Sequence, residues 1–181
     1  HAIIKAGFFM DKAKHTAAVK EIMAELKATP VQPWDGKKVI LTGILAEPDE
    51  LLQVLINNKV AVVADDLAQE SRQFRADVPT EGGTVLERLA MQWTKNMYGC
   101  SLLTDRAKGR TQMLVDMVNE SKADAVILCQ MKFCEPEEFD YPIYLKKFTE
   151  LGIKNLKIEI EQQANSFEQA ATRIQALVET L

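Results

Sequence analysis

Four short runs of β-branched and aliphatic residues alternate with stretches of helical period along this chain, and that alternation leaves few folds open. The runs cover residues 37–45, 60–64, 125–129 and 155–160. Each is too short for a helix and too apolar for a loop. Between the first two, Pro48, Asp49 and Glu50 suit the first turn of a helix that runs to about residue 57, by fixed φ and by charge at the positive end of the helix dipole. A strand–helix–strand unit takes a right-handed parallel crossover by default. The whole count predicts one α/β domain: a four-stranded parallel, doubly wound, flavodoxin-like sheet with helices on both faces. Residues 1–33 read as a leading helix and linker, and 34–181 as the sheet core.

Helices fill the rest. Ala17, Ala18, Ile22, Met23 and Leu26 recur at three- and four-residue steps, which predicts a helix over 1–29 that Pro30 and Pro33 end. His15 stands alone in it, and a surface or capping histidine is preferred over a metal ligand. Gly82-Gly83 marks a turn and not a phosphate loop, because no apolar strand precedes it. A helix over 84–97 presents Val85, Leu89 and Trp93. Another is capped near Thr104-Asp105 and runs to about 121, with Met113, Leu114, Met117 and Val118 inward. Pro142 is read as starting a helix that Gly152 ends, with Tyr144, Leu145 and Phe148 inward. Asn165 or Ser166 caps the last helix, 167–181, which buries Ala170, Ile174, Leu177 and Val178.

In open parallel sheets, ligands bind outside the carboxyl ends of the strands. Four segments converge there: 43–47, 65–72, 130–138 and 159–163. Gly43 is where backbone can approach a ligand or another strand. The polar stretch 65–79 is long for a connection in a compact α/β domain. Asp65 and Asp66 fit a metal or, preferably, hydrogen bonding to loop amides. Arg72 and Arg75 fit an anionic ligand or pairing with the local acids.

The most apolar run, 125–129, is followed by Gln-Met-Lys-Phe-Cys-Glu-Pro-Glu-Glu-Phe-Asp-Tyr-Pro. Pro136 and the acids cannot continue a buried strand. Cys134 therefore falls just past a strand end, beside a turn. A nucleophilic cysteine needs a nearby base, and the two histidines, His1 and His15, are far away in sequence. The flanking Glu135, Glu137 and Glu138 tell against a free reactive thiol and leave metal ligation open. One cysteine alone holds neither a structural zinc nor an iron–sulfur cluster.

Composition narrows the class. The 181 residues suffice for one full core. A net charge of −4 gives no reason to expect nucleic acid or an anionic membrane as partner. No apolar run approaches the roughly 20 residues that span a bilayer. The odd cysteine count, Cys100, Cys129 and Cys134, argues for a reducing cytosol and against a disulfide scaffold. Cys129, inside the strand, reads as core. The opening residues, from His1, read as the middle of a longer polypeptide.

Residues 125–142 closely resemble the family of ATP-activated 2-hydroxyacyl-CoA dehydratases and benzoyl-CoA reductases, the Phe-Cys-Glu-Pro-Glu-Glu block being the specific part. Gly99-Cys100-Ser101, Lys108-Gly109-Arg110, Glu159-Ile160-Glu161-Gln162-Gln163 and Arg173 support it. The chain is similar to the carboxyl-terminal domain of a smaller, beta-type subunit, of the 2-hydroxyglutaryl-CoA dehydratase kind. The resemblance implies a 4Fe–4S cluster held by three cysteines of the subunit. The last of them carries over to Cys134, and the others belong to an earlier domain outside this sequence. Cys100 matches neither. It also implies a homologous alpha-type subunit as heterodimer partner, an ATP-dependent iron–sulfur activator that injects one electron, and an acyl-CoA substrate. The thioester becomes a ketyl radical, the 2-hydroxyl leaves, and an enoyl-CoA results. Arg72 and Lys132 are the candidates for anionic contacts with the substrate. This piece alone is expected to be inactive. The alternatives are a benzoyl-CoA reductase subunit and a non-enzymatic α/β assembly or binding subunit.

Overall fold

The structure, a computed structural model, describes residues 1–46, 49–96, 109–161 and 166–181. It contains two compact units, His1–Asp35 and Gly36–Leu181. In the first, the chain forms two helices, α1 (Ala2–Phe9) and α2 (Lys12–Ala28), where the periodicity predicts one. The break has a local cause. Met10 is extended, and the Asp11 carboxylate accepts from the Ala13 and Lys14 amides at 3.1 Å each, capping a new helix. His15 Nε2 donates to the Ile3 carbonyl at 2.8 Å and so ties α2 to α1.

The second unit is built on β1 (Lys37–Gly43), β2 (Val60–Leu67), β3 (Ala125–Met131) and β4 (Lys154–Ile160). All pair in parallel, in the order β2-β1-β3-β4. This is the four-stranded flavodoxin-like sheet that the alternation predicts. On one face, α3 (Asp49–Asn57) and α7 (Glu168–Glu179) bring Leu51, Leu55, Ile174 and Leu177 onto Val39, Leu41, Leu67, Cys129 and Ile158. On the other, α5 (Gly109–Ser121) and α6 (Glu135–Leu151) bring Leu114, Val115, Tyr144 and Phe148 onto Val126 and Leu128. The start expected for α5, at Thr104-Asp105, lies outside the described residues, as do Pro48 and Asn165.

In the second unit, β2, the helix expected at 84–97 and α6 also differ from expectation, each for a physical reason. Strand β2 does not stop at Asp65 but runs through Asp66 to Leu67, because arginines neutralise Asp66 and loop amides bind the Asp65 carboxylate, as described below. The helix at 84–97 is a short α4 (Val85–Met91) continued by a π-turn, Gln92–Asn96. Its start is set by a capping box between Thr84 and Glu87, while Val85, Leu89 and Trp93 stay exposed. Finally, α6 starts at Glu135, not at Pro142. Pro136 sits in its first turn, where the missing N–H has no intrahelical partner to lose, and Pro142 is carried inside the helix. Tyr144 and Phe148 point inward as expected, but Leu145 is exposed. Gly152, left-handed at φ 68°, ends the helix.

A bulge in β2 decides what the sheet carries at its rim. Val39 pairs with Val62 but Ile40 with Ala64, so Val63 is an extra residue. Beyond it the side-chain alternation is reversed. Val60 and Leu67, an odd number of residues apart, therefore share the α3/α7 face. Asp66 turns to the other face, opposite its register partner Thr42.

Candidate functional site at the carboxyl rim of the sheet

On the α5/α6 face the strands are apolar until their last residues and then become polar: Thr42 on β1, Asp66 on β2 and Gln130 on β3, all buried. Asp66, fully buried, lies at the centre. Its carboxylate accepts from Thr42 Oγ1 at 2.9 Å, Arg110 Nε at 2.8 Å and Arg72 Nε at 3.3 Å, and pairs closely with Arg75. Arg110 Nη2 also donates to Thr42 Oγ1 at 2.9 Å, and its two terminal nitrogens lie 3.3 Å from Glu137 Oε1. Its guanidinium stands 5.4 Å from the Tyr144 ring centroid, within cation–π range. One buried ionic network thus joins β1, β2, the turn after β2, α5 and α6. Burial pushes the Asp66 carboxyl up, but the Arg110, Arg72 and Arg75 guanidiniums together outweigh it and hold the group below its ordinary value of 3.8. Burial likewise acts to discharge Arg110, and Asp66, Tyr144 and Glu137 more than offset it.

The residues singled out in the sequence fall into place around this network. Asp65 Oδ1 accepts from the Leu67 and Ser71 amides at 3.1 and 3.0 Å, the loop-amide role preferred above. Arg72 pairs with the local acids: its Nη2 donates to the Gly43 and Asp66 carbonyls at 2.7 Å each, and it lies 3.8 Å from Glu137 Oε1. Its guanidinium serves the network, with only 4% of the residue exposed. Gly43 is the point of close approach. At φ 140° it faces β3 so tightly that a Cβ there would stand 2.0 Å from the Cys129 carbonyl oxygen.

Cys134 stands at the turn between β3 and α6. Its amide donates to the Met131 carbonyl at 3.1 Å, and it is the N-cap residue of α6. Phe133 before it has φ 66°, the left-handed region that costs a non-glycine residue roughly 1–2 kcal/mol. Phe133 is 92% exposed, while Cys134 is partly buried. The thiol is free. Lys132, also exposed at this rim, donates to Glu161 at 2.8 Å and so bridges the ends of β3 and β4. That hydrogen bond, with the Glu161 and Glu159 charges, raises the Lys132 pKa. Cys129 is different in kind. Its side chain lies in the α3/α7 core, where burial, aided by the Glu137 charge, pushes the thiol from 9.0 up to about 12. It is core, as the strand pattern predicts.

The donor set speaks to a metal. Among the described residues no three His, Cys, Asp or Glu side chains gather as a metal would require. Cys134 is accessible at the rim and free to bind; Cys129 is not. Cys100, with Gly99, Ser101 and Lys108, lies outside the described residues. Among the described residues, the chemistry of the donor set would therefore suit a metal cluster only as one ligand, the Cys134 sulfur.

The model of a family described as "2-hydroxyglutaryl-CoA dehydratase, D-component" matches residues 1–181. The chain is 56% identical over 181 residues to a lactoyl-CoA dehydratase subunit beta of Anaerotignum propionicum, covering all of this chain and 48% of that protein. It is 46% identical over 179 residues to an (R)-phenyllactyl-CoA dehydratase beta subunit of Clostridium sporogenes, covering 99% of this chain and 47% of the relative. An (R)-2-hydroxyglutaryl-CoA dehydratase subunit beta of Acidaminococcus fermentans is 35% identical over 181 residues, 99% of this chain and 48% of its own. One subunit of a benzoyl-CoA reductase of Thauera aromatica is more distant, at 21% over 179 residues, covering 95% of this chain and 46% of its own. The chain thus spans about half the length of the curated relatives it matches.

Proposed function

Because this chain belongs to the family of the 2-hydroxyglutaryl-CoA dehydratase D-component, we propose that it is the carboxyl-terminal part of a beta-type subunit of an iron–sulfur 2-hydroxyacyl-CoA dehydratase. The enzyme removes water from an (R)-2-hydroxyacyl-CoA to give the enoyl-CoA. It works in the cytoplasm, as a heterodimer with a homologous alpha-type subunit, after one-electron reduction by an ATP-dependent activator. The observation that carries this reading is Cys134: a free, accessible thiol at the carboxyl rim of a parallel sheet, with no co-ligands gathered round it among the described residues. When bound, a 4Fe–4S cluster supplies the low-potential electron that makes the substrate's β-proton removable.

The chain's own residues do the holding. Cys134 offers one sulfur to the cluster. The Glu137–Arg110–Asp66 network fixes the first turn of α6, and with it the position of that sulfur. Lys132 stands at the exposed rim and is our candidate for contact with an anionic part of the acyl-CoA. Arg72, tied to Asp66 and Gly43, supports the rim from within. Its use as a direct anion contact requires release of those bonds. The greater distance of the benzoyl-CoA reductase relative favours dehydration over ring reduction.

The test is an anaerobic assay of the complete subunit with its alpha-type partner and activator. Lactoyl-, phenyllactyl-, 2-hydroxyglutaryl- and benzoyl-CoA are offered in turn. Release of an enoyl-CoA from at least one 2-hydroxyacyl thioester is expected. Reduction of the benzoyl thioester alone, or no turnover of any, overturns the reading.

A further inference from the structure

Behind the rim, the side-chain amide of Gln130 presents a problem of hydrogen bonding. Gln130 is 4% exposed, and its Nε2 is buried without a partner. Leaving such a donor unmet is costly, so buried amides in folded proteins are met by protein or by ordered water. A small cavity opens beside it, lined by Gln130, Glu137, Tyr141 and Tyr144 among others. Its volume is ≈ 10 Å³, about the room that one water molecule needs. The cavity also has the acceptor such a water requires. Glu137, whose Oε1 accepts from Arg110, lines the same cavity.

We propose that this cavity is a binding site for one ordered water, which accepts from Gln130 Nε2 and donates to the carboxylate of Glu137. Two independent observations meet in it, a buried donor without a partner and a space of the right size that the same residue lines. The water links the end of β3 to the first turn of α6, the two elements between which Cys134 is held. It joins Gln130 to the network that Arg110 and Glu137 already form.

The test does not depend on catalysis. The complete polypeptide is crystallised and refined at a resolution that shows ordered waters. Expected is a single water peak within hydrogen-bond distance of both Gln130 Nε2 and the Glu137 carboxylate. A dry cavity, a metal-like peak, or a direct Gln130–Glu137 or Gln130–Tyr141 hydrogen bond overturns the proposal. In solution, water-oxygen relaxation dispersion counts long-lived waters. Replacing Gln130→Met fills the space with apolar atoms and is expected to remove one of them. An unchanged count in folded Gln130→Met contradicts the proposal. If that variant does not fold, the wild-type density decides.

Discussion

The two faces of the sheet carry the same strands to different ends. On the α3/α7 face the core stays apolar to the last residues of the strands, with Leu41, Leu67, Cys129, Ile158 and Ile160 all buried. On the α5/α6 face it is apolar in the middle and ionic at the carboxyl rim, where Thr42, Asp66, Arg110, Glu137 and Gln130 replace aliphatic side chains. Burying the apolar face stabilises the fold at roughly 25 cal/mol per Å². The ionic rim does less for net stability, since the desolvation of its charges offsets most of their attraction. What the rim supplies is position. It fixes the turn at which Cys134 leaves the sheet.

The comparison is broken most sharply at Asp66. Asp66→Ala leaves the guanidiniums that surround it without their shared acid, and should cost about 3–5 kcal/mol in urea unfolding. A loss under about 1 kcal/mol would mean that the arginines are not held by this acid. Gly43→Ala comes next. Its Cβ would collide with the Cys129 carbonyl, and overpacking of this kind costs typically about 1–3 kcal/mol. The damage should show as loosened β1–β3 pairing in amide exchange. On the apolar face, Ile160→Val should cost only about 0.5–1.5 kcal/mol and leave the rim unchanged.

The faces should also fail at opposite ends of the pH scale. The Asp66 carboxyl is held below its ordinary 3.8, so its contribution is whole above that value. It is lost as pH falls through the lower folded value, because the unfolded chain takes up its proton first. The Cys129 thiol is raised from 9.0 to about 12. Its contribution is whole below 9.0 and is lost between 9.0 and about 12, as the unfolded chain releases its proton first. Urea midpoints across pH should show both limbs. Asp66→Asn should flatten the acid limb only, and Cys129→Ala the alkaline limb only. The smallest effect is expected at Lys132→Ala, where the exposed bridge to Glu161 is lost without a measurable change in midpoint.

Much of the fold is legible from period and punctuation. The strand–helix alternation yields the parallel sheet, and Pro136 with the acids places Cys134 past a strand end. Two features hide the rim. The bulge at Val63 has no signature in the run Val-Ala-Val-Val-Ala, yet it turns Asp66 toward the arginines. Pro142 reads as a helix start, which leaves Glu137 and Asp140 in a turn. With α6 begun at Glu135, Glu137, Asp140, Tyr144 and Phe148 fall on one inward stripe. Arg110 does carry a signal in its spacing. It lies one turn before Leu114, on the buried side of α5. Spacing names no partner ligand for Cys134, because a metal site is assembled in space from residues that need not share a segment.

The central claim is that the Cys134 sulfur stands at this rim to bind iron. The most direct measurement is anaerobic iron analysis, with electron paramagnetic resonance, of the complete heterodimer with Cys134→Ser in its beta-type chain. The account predicts loss of that chain's cluster and of turnover, while the unfolding midpoint stays near that of the wild type. Full iron content with undiminished turnover would contradict it.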